Sequence, residues 1–132
     1  MIGELTQEIV RLVVDPGETA LWAICRRGHP FTFSYSDEEL IAFSPDGSGV
    51  LQRFSIPGHE IFDTCFLGDA LITAGWDATI RIWDWRQPTP LAAMSGSAPF
   101  RCVSAAADRI VAGDQKGNMW FLAPISELYA QT

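Results

Sequence analysis

Few residues of the chain have the types and spacing that catalysis requires. His59, Thr73 and Asp77 fall within one stretch, and a histidine with a carboxylate and a hydroxyl can provide general-base and nucleophilic catalysis. They surround a turn between short apolar runs, which favours a structural role over an active site. The second histidine, His29, stands beside Pro30 in a predicted turn. Since no GxGxxG, P-loop, HExxH or GxSxG pattern occurs, the sequence predicts a protein that is not an enzyme and uses no cofactor.

Candidate metal ligands are equally sparse. Cys25, Cys65 and Cys102 lie about 40 residues apart without a CxxC pair, so we predict buried free thiols and no metal site. The acidic triplet 37–39 falls at a predicted hairpin, where solvated turn carboxylates are expected. A weak calcium site or a contact with a basic patch is the alternative for this triplet.

Composition narrows the classes of partner and location. The 132 residues are 48% hydrophobic and 19% charged, with a formal net charge of −7, which predicts a folded core and disfavours nucleic acid. A basic or neutral partner suits this charge better. No apolar run approaches the roughly 20 residues that cross a bilayer, and the start MIGELTQEIVRL carries acids where a signal peptide carries Lys or Arg. We therefore expect a cytoplasmic protein without a membrane partner.

An internal repeat determines which elements position these residues. Moving the chain by 40 positions superposes 19–44 on 59–84, and a further 39 positions superpose 71–73 on 110–112. A period of this length indicates a repeat architecture. Within each unit, apolar runs of four to six residues alternate with turns such as GD, DAT and KGN, a pattern typical of short strands. The end of the chain, 125–132, could form one helical turn or fray.

The middle unit shows four strands, a to d, predicted at Ile61–Phe66, Ala70–Ala74, Thr79–Asp84 and Leu91–Met94. It also contains Gly-His at 58–59, Trp-Asp at 76–77 and Trp-Asp at 83–84. With these motifs the unit resembles the WD-repeat family of β-propellers. The resemblance implies an all-β fold whose blades are four-stranded antiparallel sheets.

The resemblance also implies a structural role for four residues: His59, Thr73, Asp77 and Trp83. In this tetrad a histidine held by a carboxylate can donate to a hydroxyl, which in turn accepts an indole N–H. The outer units depart from the motif. Phe43 and Ser44 replace Trp-Asp and Phe33 replaces the Thr in the first unit; Leu122, Lys116 and Gly96-Ser97 replace the Trp, the Asp and Gly-His in the third. Only the middle unit carries the full motif.

The repeat divides the chain into three blade equivalents. We predict a lone outer strand d and its loop at 1–18, blade 1 at 19–57, blade 2 at 58–96, strands a to c of blade 3 at 97–124, and a tail at 125–132. Three blades cannot close a ring, since propellers have four to eight. We therefore predict a homodimer with a six-bladed ring, in which residues 7–14 of each chain complete the last blade of the other. The assembly strand comprises Ile9, Val10, Leu12, Val13 and Val14. A ring with a different propeller fragment and a piece of a longer gene are the alternatives.

The family presents the d–a and b–c loops on one face, which gives a candidate partner-binding set. Its members are Ser36, Trp76 and Gln115, with Glu18, Glu60 and Asp114 near the rim. An exposed Trp76 in an acidic surround would suit a peptide with Arg or Lys beside an apolar anchor; alternatively, Trp76 packs over the neighbouring turn. The resemblance implies a protein-interaction scaffold, with a propeller lectin as the alternative because the chain has five tryptophans. The third unit is also similar to repeats of bacterial signalling proteins, which suggests a signalling context.

Overall fold

A computed structural model describes residues 8–27, 37–106 and 109–122, and this part contains eleven strands. Short β-branched and aromatic runs broken by turns form these strands, as their pattern predicts. Their bounds are β1 Glu8–Val14, β2 Leu21–Arg27, β3 Asp37–Phe43, β4 Val50–Ser55, β5 Ile61–Leu67, β6 Ala70–Gly75, β7 Thr79–Trp83, β8 Ala92–Ser95, β9 Phe100–Ala106, β10 Arg109–Asp114 and β11 Met119–Phe121. The predicted all-β class is confirmed.

The strands form three antiparallel sheets, each built from consecutive strands. Sheet 1 has the order β1-β2-β3-β4, sheet 2 the order β5-β6-β7-β8, and sheet 3 the order β9-β10-β11. All neighbouring strands run antiparallel, as they do in the blades of a propeller. The four strands predicted for the middle unit are present, each within a residue of the predicted start.

The first strand departs from the prediction. β1 was expected to remain apart as a lone strand d that completes another chain's last blade. It instead pairs with β2 of its own chain, with Leu12 opposite Ala23 and Val14 opposite Leu21. β1 is therefore the first strand of sheet 1, because β2 carries the ladder partners for its backbone.

The pairing of β2 also changes which residues of the first unit correspond to the tetrad positions. Leu21 pairs with Phe43 as Leu71 pairs with Trp83, so β2 is equivalent to β6. Ala23 opposite Ile41 is then equivalent to Thr73 opposite Arg81. The residue at the Thr position of sheet 1 is thus Ala23; Phe33, which was assigned to this position, lies outside the described residues.

The core lies between the sheets, which stack in the order 1, 2, 3. Between sheets 1 and 2, Trp22 and Phe54 stack with ring centroids 6.2 Å apart, and Phe54 meets Trp83 at 4.8 Å. Between sheets 2 and 3, Ile80 and Ile82 pack with the residues of β9 and β10. β6 is buried along its whole length because it has a neighbouring sheet on both faces.

Each first strand of a sheet contains a β-bulge at the same place. The ladder skips Val10 in β1, Phe62 in β5 and Arg101 in β9. A bulge leaves one residue without a partner and redirects its side chain. The three unpaired residues are thus equivalent, and they lie near the same end of the three sheets.

Candidate functional site

The structure brings the four tetrad residues together between β5, β6 and β7. His59 Nδ1 lies 2.8 Å from Asp77 Oδ1, and His59 Nε2 lies 2.8 Å from Thr73 Oγ1. The Trp83 indole N–H donates to Thr73 Oγ1 at 3.0 Å. β6 supplies the threonine and β7 the tryptophan, while the histidine comes from the connection before β5 and the aspartate from the turn between β6 and β7.

The direction of one hydrogen bond differs from the expectation. Asp77 can only accept, so the proton of His59 sits on Nδ1. Burial lowers the pKa of His59, which keeps the ring neutral and leaves Nε2 as an acceptor. The Thr73 hydroxyl therefore donates to His59 while it accepts from Trp83, and the predicted donation from histidine to threonine is reversed.

Two residues that the motif does not name extend this network. Arg81 Nη2 donates to Asp77 Oδ2 at 2.8 Å, and the Thr79 hydroxyl donates to Asp77 Oδ1 at 2.7 Å. Burial alone would raise the pKa of Asp77, but the bonds from Thr79 and His59 and the charge of Arg81 lower it. Their spacing at 77, 79 and 81, every second residue into β7, was the available signal.

The tetrad has no access for a substrate. The side chains of His59 and Thr73 are fully buried, and every polar atom of the imidazole and the hydroxyl already has a partner. Gly75 closes the site from the sheet side, since a Cβ at this position would approach the His59 carbonyl oxygen to 2.2 Å. This arrangement locks the turns around β6 and leaves no free nucleophile or base.

An exposed aromatic cluster lies beside the tetrad, at one end of the sheets. We call this end the loop face; its connections are 56–60, 76–78, 96–99 and 115–118. Trp76 is 47% exposed, and its backbone N–H donates to the Glu60 carbonyl oxygen at 3.0 Å. Its ring meets Phe62 edge to face at 5.9 Å, while the Arg101 guanidinium lies 4.6 Å above the Phe62 ring.

A groove runs from this cluster towards sheet 1. It has a volume of about 260 Å³ and is lined by Val10, Arg11, Ile24, Arg26, Ile61 and Phe62. Arg26 fixes one wall, because its Nη2 donates to the Ile61 carbonyl oxygen at 3.1 Å and its Nε to Glu38 at 3.4 Å. Two of the lining residues, Val10 and Phe62, are the bulge residues of their strands.

Part of the chain is similar in sequence to a curated mouse protein. Over 80 residues the chain is 47% identical to guanine nucleotide-binding protein subunit beta-like protein 1 of Mus musculus, a WD-repeat protein. The match covers 58% of this chain and 22% of the mouse protein, so the chain spans under a quarter of that relative. No protein-family model matches the chain. This similarity and the three antiparallel sheets agree with the resemblance that the sequence motifs carry.

The chain fits a partial WD-repeat propeller. Each of the three sheets is consistent with a propeller blade, and the tetrad lies in sheet 2. Sheet 3 uses a different polar network at the equivalent turn. Asp114 Oδ2 accepts from the Trp120 indole N–H at 2.9 Å, and Asp114 Oδ1 accepts from the backbone N–H of Lys116 and of Asn118, each at 2.9 Å.

Asp114 is therefore a buried turn residue of sheet 3 whose carboxylate is bonded within its own sheet. It is buried, and the bond from Trp120 together with those from Asn118 and Lys116 lowers the pKa of its carboxyl. The sequence signal for this network is an aspartate at the end of one strand with a tryptophan six residues later. The place of Asp114 at the rim of the binding face stays a prediction, although its carboxylate oxygens are already bonded within the turn.

The remaining predicted face residues are divided between the two ends of the sheets. Gln115 is exposed on the loop face, where its backbone N–H donates to the Pro99 carbonyl oxygen at 2.9 Å. Glu18 lies at the opposite end, in the turn from β1 to β2, because β1 belongs to sheet 1. Ser36 lies outside the described residues.

The predicted thiols and acidic triplet show mixed outcomes. Cys25 is buried, Cys65 is half-buried and Cys102 is exposed, so the prediction of buried thiols is wrong for Cys102.

Glu38 of the acidic triplet is buried and accepts hydrogen bonds from Arg26 and from the Glu60 backbone N–H, so it is not a solvated turn carboxylate. Burial raises the pKa of Glu38 despite the nearby Arg26.

The described residues contain neither a metal-binding cluster nor a membrane-spanning helix. Within 8–27, 37–106 and 109–122, His, Cys, Asp and Glu side chains form no group of three or more that could hold a metal ion. The same residues include no helix with the length and apolar character needed to span a bilayer.

Proposed function

We propose that the chain is a non-enzymatic scaffold that binds a protein segment on its loop face, with Trp76 and Phe62 as the anchors. The WD-repeat relative supports a protein-interaction scaffold in general. The observation that carries the proposal is Trp76, a large aromatic side chain that is 47% exposed although its ring rests on Phe62. Tyrosine, tryptophan and arginine are the residue types that most often dominate binding energy in interfaces.

The support beneath Trp76 suits it to binding. The backbone bond from Trp76 to Glu60 and the edge contact with Phe62 fix the indole before a partner arrives. A fixed aromatic ring loses little conformational entropy on binding, so more of the contact energy remains as affinity. The sequence left open whether Trp76 packs over a turn or is available to a partner. Its geometry is consistent with both, since one edge packs and the other is open.

The test is a pull-down from a cell extract with the full chain as bait, followed by identification of the bound proteins. Trp76→Ala should remove the specific partner, whereas Val50→Ala should not, because Val50 is also an exposed apolar residue but lies on β4 at the opposite end. Equal capture by both variants and the unchanged chain would exclude the loop face as the site.

A carbohydrate-binding propeller is the second candidate, supported by the same open indole face. Sugars stack on exposed tryptophan, but the position equivalent to Trp76 in sheet 3 is Gln115, so the feature does not repeat. A glycan array distinguishes the two functions. A sugar signal that Trp76→Ala abolishes would favour the lectin, and an empty array with a retained protein partner would favour the scaffold.

The outer faces of the stack support assembly with further blades. Met119 and Phe121 are each 67% exposed, whereas the residues 39 positions earlier, Ile80 and Ile82, are fully buried against sheet 3. An apolar face of this kind favours association. We propose that the outer face of sheet 3 takes up another blade, and that a second copy in a six-bladed ring is one such arrangement. Because the match covers only 22% of the relative, the second possible arrangement is that blades of a longer protein cover this face.

The cellular setting also stays a prediction. Neither the bacterial signalling context nor the cytoplasmic location has support from the similarity, which is to a mouse protein.

A further inference from the structure

Two arginines of this protein lie over aromatic rings at the same distance. The Arg86 guanidinium carbon lies 4.6 Å from the Trp85 ring centroid, and that of Arg101 lies 4.6 Å from the Phe62 ring centroid. A guanidinium that stacks by its face keeps its N–H donors free along its edge, where they can bind carboxylate oxygens. The two sites can therefore be compared directly.

At the first site the edge is occupied. Arg86 Nη2 lies 2.9 Å from Asp69 Oδ2, and Arg86 Nη1 lies 3.0 Å from Asp84 Oδ1. A stacked arginine in this fold thus holds two carboxylates. At the second site, no carboxylate among the described residues pairs with Arg101, whose only recorded contact is with Phe62.

A second arginine stands on the other side of Phe62. The Arg11 side chain is 41% exposed; its Nη2 donates to the Phe62 carbonyl oxygen at 3.4 Å, and its Nη1 lies 3.8 Å from Asp63 Oδ1. Both contacts are long, so most of the hydrogen-bonding capacity of this group remains open. The groove between Arg11 and Phe62 has apolar walls from Val10, Ile24 and Ile61.

The acidic groups nearby are mostly engaged. Glu38 is held by Arg26, and Asp77 is held by His59 and Arg81. Glu39 pairs with Arg53, Asp63 accepts from the Val103 backbone N–H at 2.9 Å, and Asp114 is bonded within its own turn. Glu8 and Glu60 are further acidic residues at this end. The guanidinium groups of Arg11 and Arg101, which contact Phe62, therefore keep donors available for a partner.

We propose that the loop face binds an acidic segment, with an apolar side chain against Phe62 and Trp76 and carboxylates on Arg101 and Arg11. This inference rests on the proposed function and names the class of its partner. It reverses the basic partner expected from the net charge of −7. Because charges beyond about 8 Å are largely screened at physiological ionic strength, direct contacts with two guanidinium groups matter more for a bound segment than the net charge of the whole chain.

The test uses three fluorescent eight-residue peptides that share a central Leu-Phe pair. Their flanks carry Asp and Glu, Asn and Gln, or Lys, and fluorescence anisotropy with the full chain gives each Kd. We expect the acidic peptide to bind at least tenfold more tightly than the basic one at low salt, and the difference to shrink as salt rises. Tighter binding of the neutral or basic peptide, or no binding of any, would overturn the acidic segment.

Arginine variants locate the site. Arg101→Gln should weaken the acidic peptide about tenfold, since one charge-assisted contact is lost, and leave the neutral peptide unchanged. Arg86→Gln is the matched control, because Arg86 is also stacked but is saturated at the opposite end of the sheets. Equal effects of the two variants would place the peptide elsewhere. Trp76→Ala should weaken the binding of all three peptides. If Trp76→Ala removes a protein partner and Arg101→Gln does not, the proposed function stands and the acidic partner is rejected.

Discussion

The tetrad stabilises sheet 2 by satisfying polar groups that the core would otherwise leave unpaired. His59 and Thr73 are fully buried, and each contributes to two recorded hydrogen bonds within this network. A buried polar group without a partner costs about 1–3 kcal/mol, whereas a satisfied one costs little. The tetrad therefore matters most when one member is removed and the others remain.

Asp77→Ala tests this cost. The substitution removes the acceptor of His59 Nδ1, Thr79 and Arg81 together, so we expect the free energy of unfolding to fall by about 1–3 kcal/mol. Urea denaturation measures the change. Asp69→Ala is the control, since Asp69 forms an exposed ion pair with Arg86 that contributes at most about 1 kcal/mol. A loss for Asp77→Ala no larger than for the control would contradict the structural role.

The buried imidazole also makes stability depend on pH. Burial lowers the pKa of His59 in the folded chain, so below its ordinary value of about 6.5 the unfolded state binds the proton more readily than the folded state. Stability from this group is full above that pH and is lost as the pH falls towards the folded pKa, by at most about 1.4 kcal/mol per pH unit. Urea denaturation of the unchanged chain and of His59→Gln at a series of pH values isolates the contribution of His59 to the free energy of unfolding. An equal slope in both proteins would reject the effect.

Individual site residues could be predicted from the sequence where they belong to a known motif. The positions of His59 and Asp77 were predictable because Gly-His and Trp-Asp mark their turns. Phe62 and Arg101 were not, because a bulge is a property of strand pairing: the residue that the ladder skips depends on its partner strand. The available hint was Ile61-Phe62, two apolar residues in succession at the start of an alternating strand.

Strand assignment failed in sheet 1 because the spacing within the repeat is not constant. Leu21 and Phe43 are equivalent to Leu71 and Trp83, so their separations are 22 and 12 residues and ten additional residues fall between β2 and β3. A gapless register of 40 therefore fits β3 but shifts β2 by one strand. Apolar periodicity identifies strands, but hydrogen-bonded pairing decides which strand is first.

Equivalent positions in neighbouring blades should differ sharply in their sensitivity to truncation. Ile82→Ala should lower the free energy of unfolding by about 2–5 kcal/mol, since Ile82 is fully buried between sheets 2 and 3. Phe121→Ala, 39 positions later and 67% exposed, should change it by less than about 0.5 kcal/mol in dilute solution. Denaturation at a low and a high protein concentration measures both. A large, concentration-independent loss for Phe121→Ala would show that this face is covered within the chain.

Across the whole molecule, the two outer faces of the stack are not alike. On the outer face of sheet 3, Met119 and Phe121 are exposed. On the outer face of sheet 1, Ala23 and Ile41 are fully buried, and exposed apolar side chains such as Leu12 lie on β1. A ring made from two copies joins the outer face of sheet 3 of one chain to sheet 1 of the other, a head-to-tail contact that closes after two steps. β1 would contribute its exposed side chains to that contact, and its backbone would stay paired with β2.

Light scattering during size exclusion tests this arrangement against the mass of one chain, 14.5 kDa. The unchanged chain should elute with twice that mass, and Phe121→Glu should elute with the mass of one chain, because a carboxylate at the centre of an apolar contact is costly to bury. Gln87→Glu introduces the same charge on the exposed connection from β7 to β8 and should remain dimeric. If the unchanged chain is a stable monomer, the second copy is not the occupant of this face, and the blades that cover Met119 and Phe121 belong to another polypeptide or to a longer one.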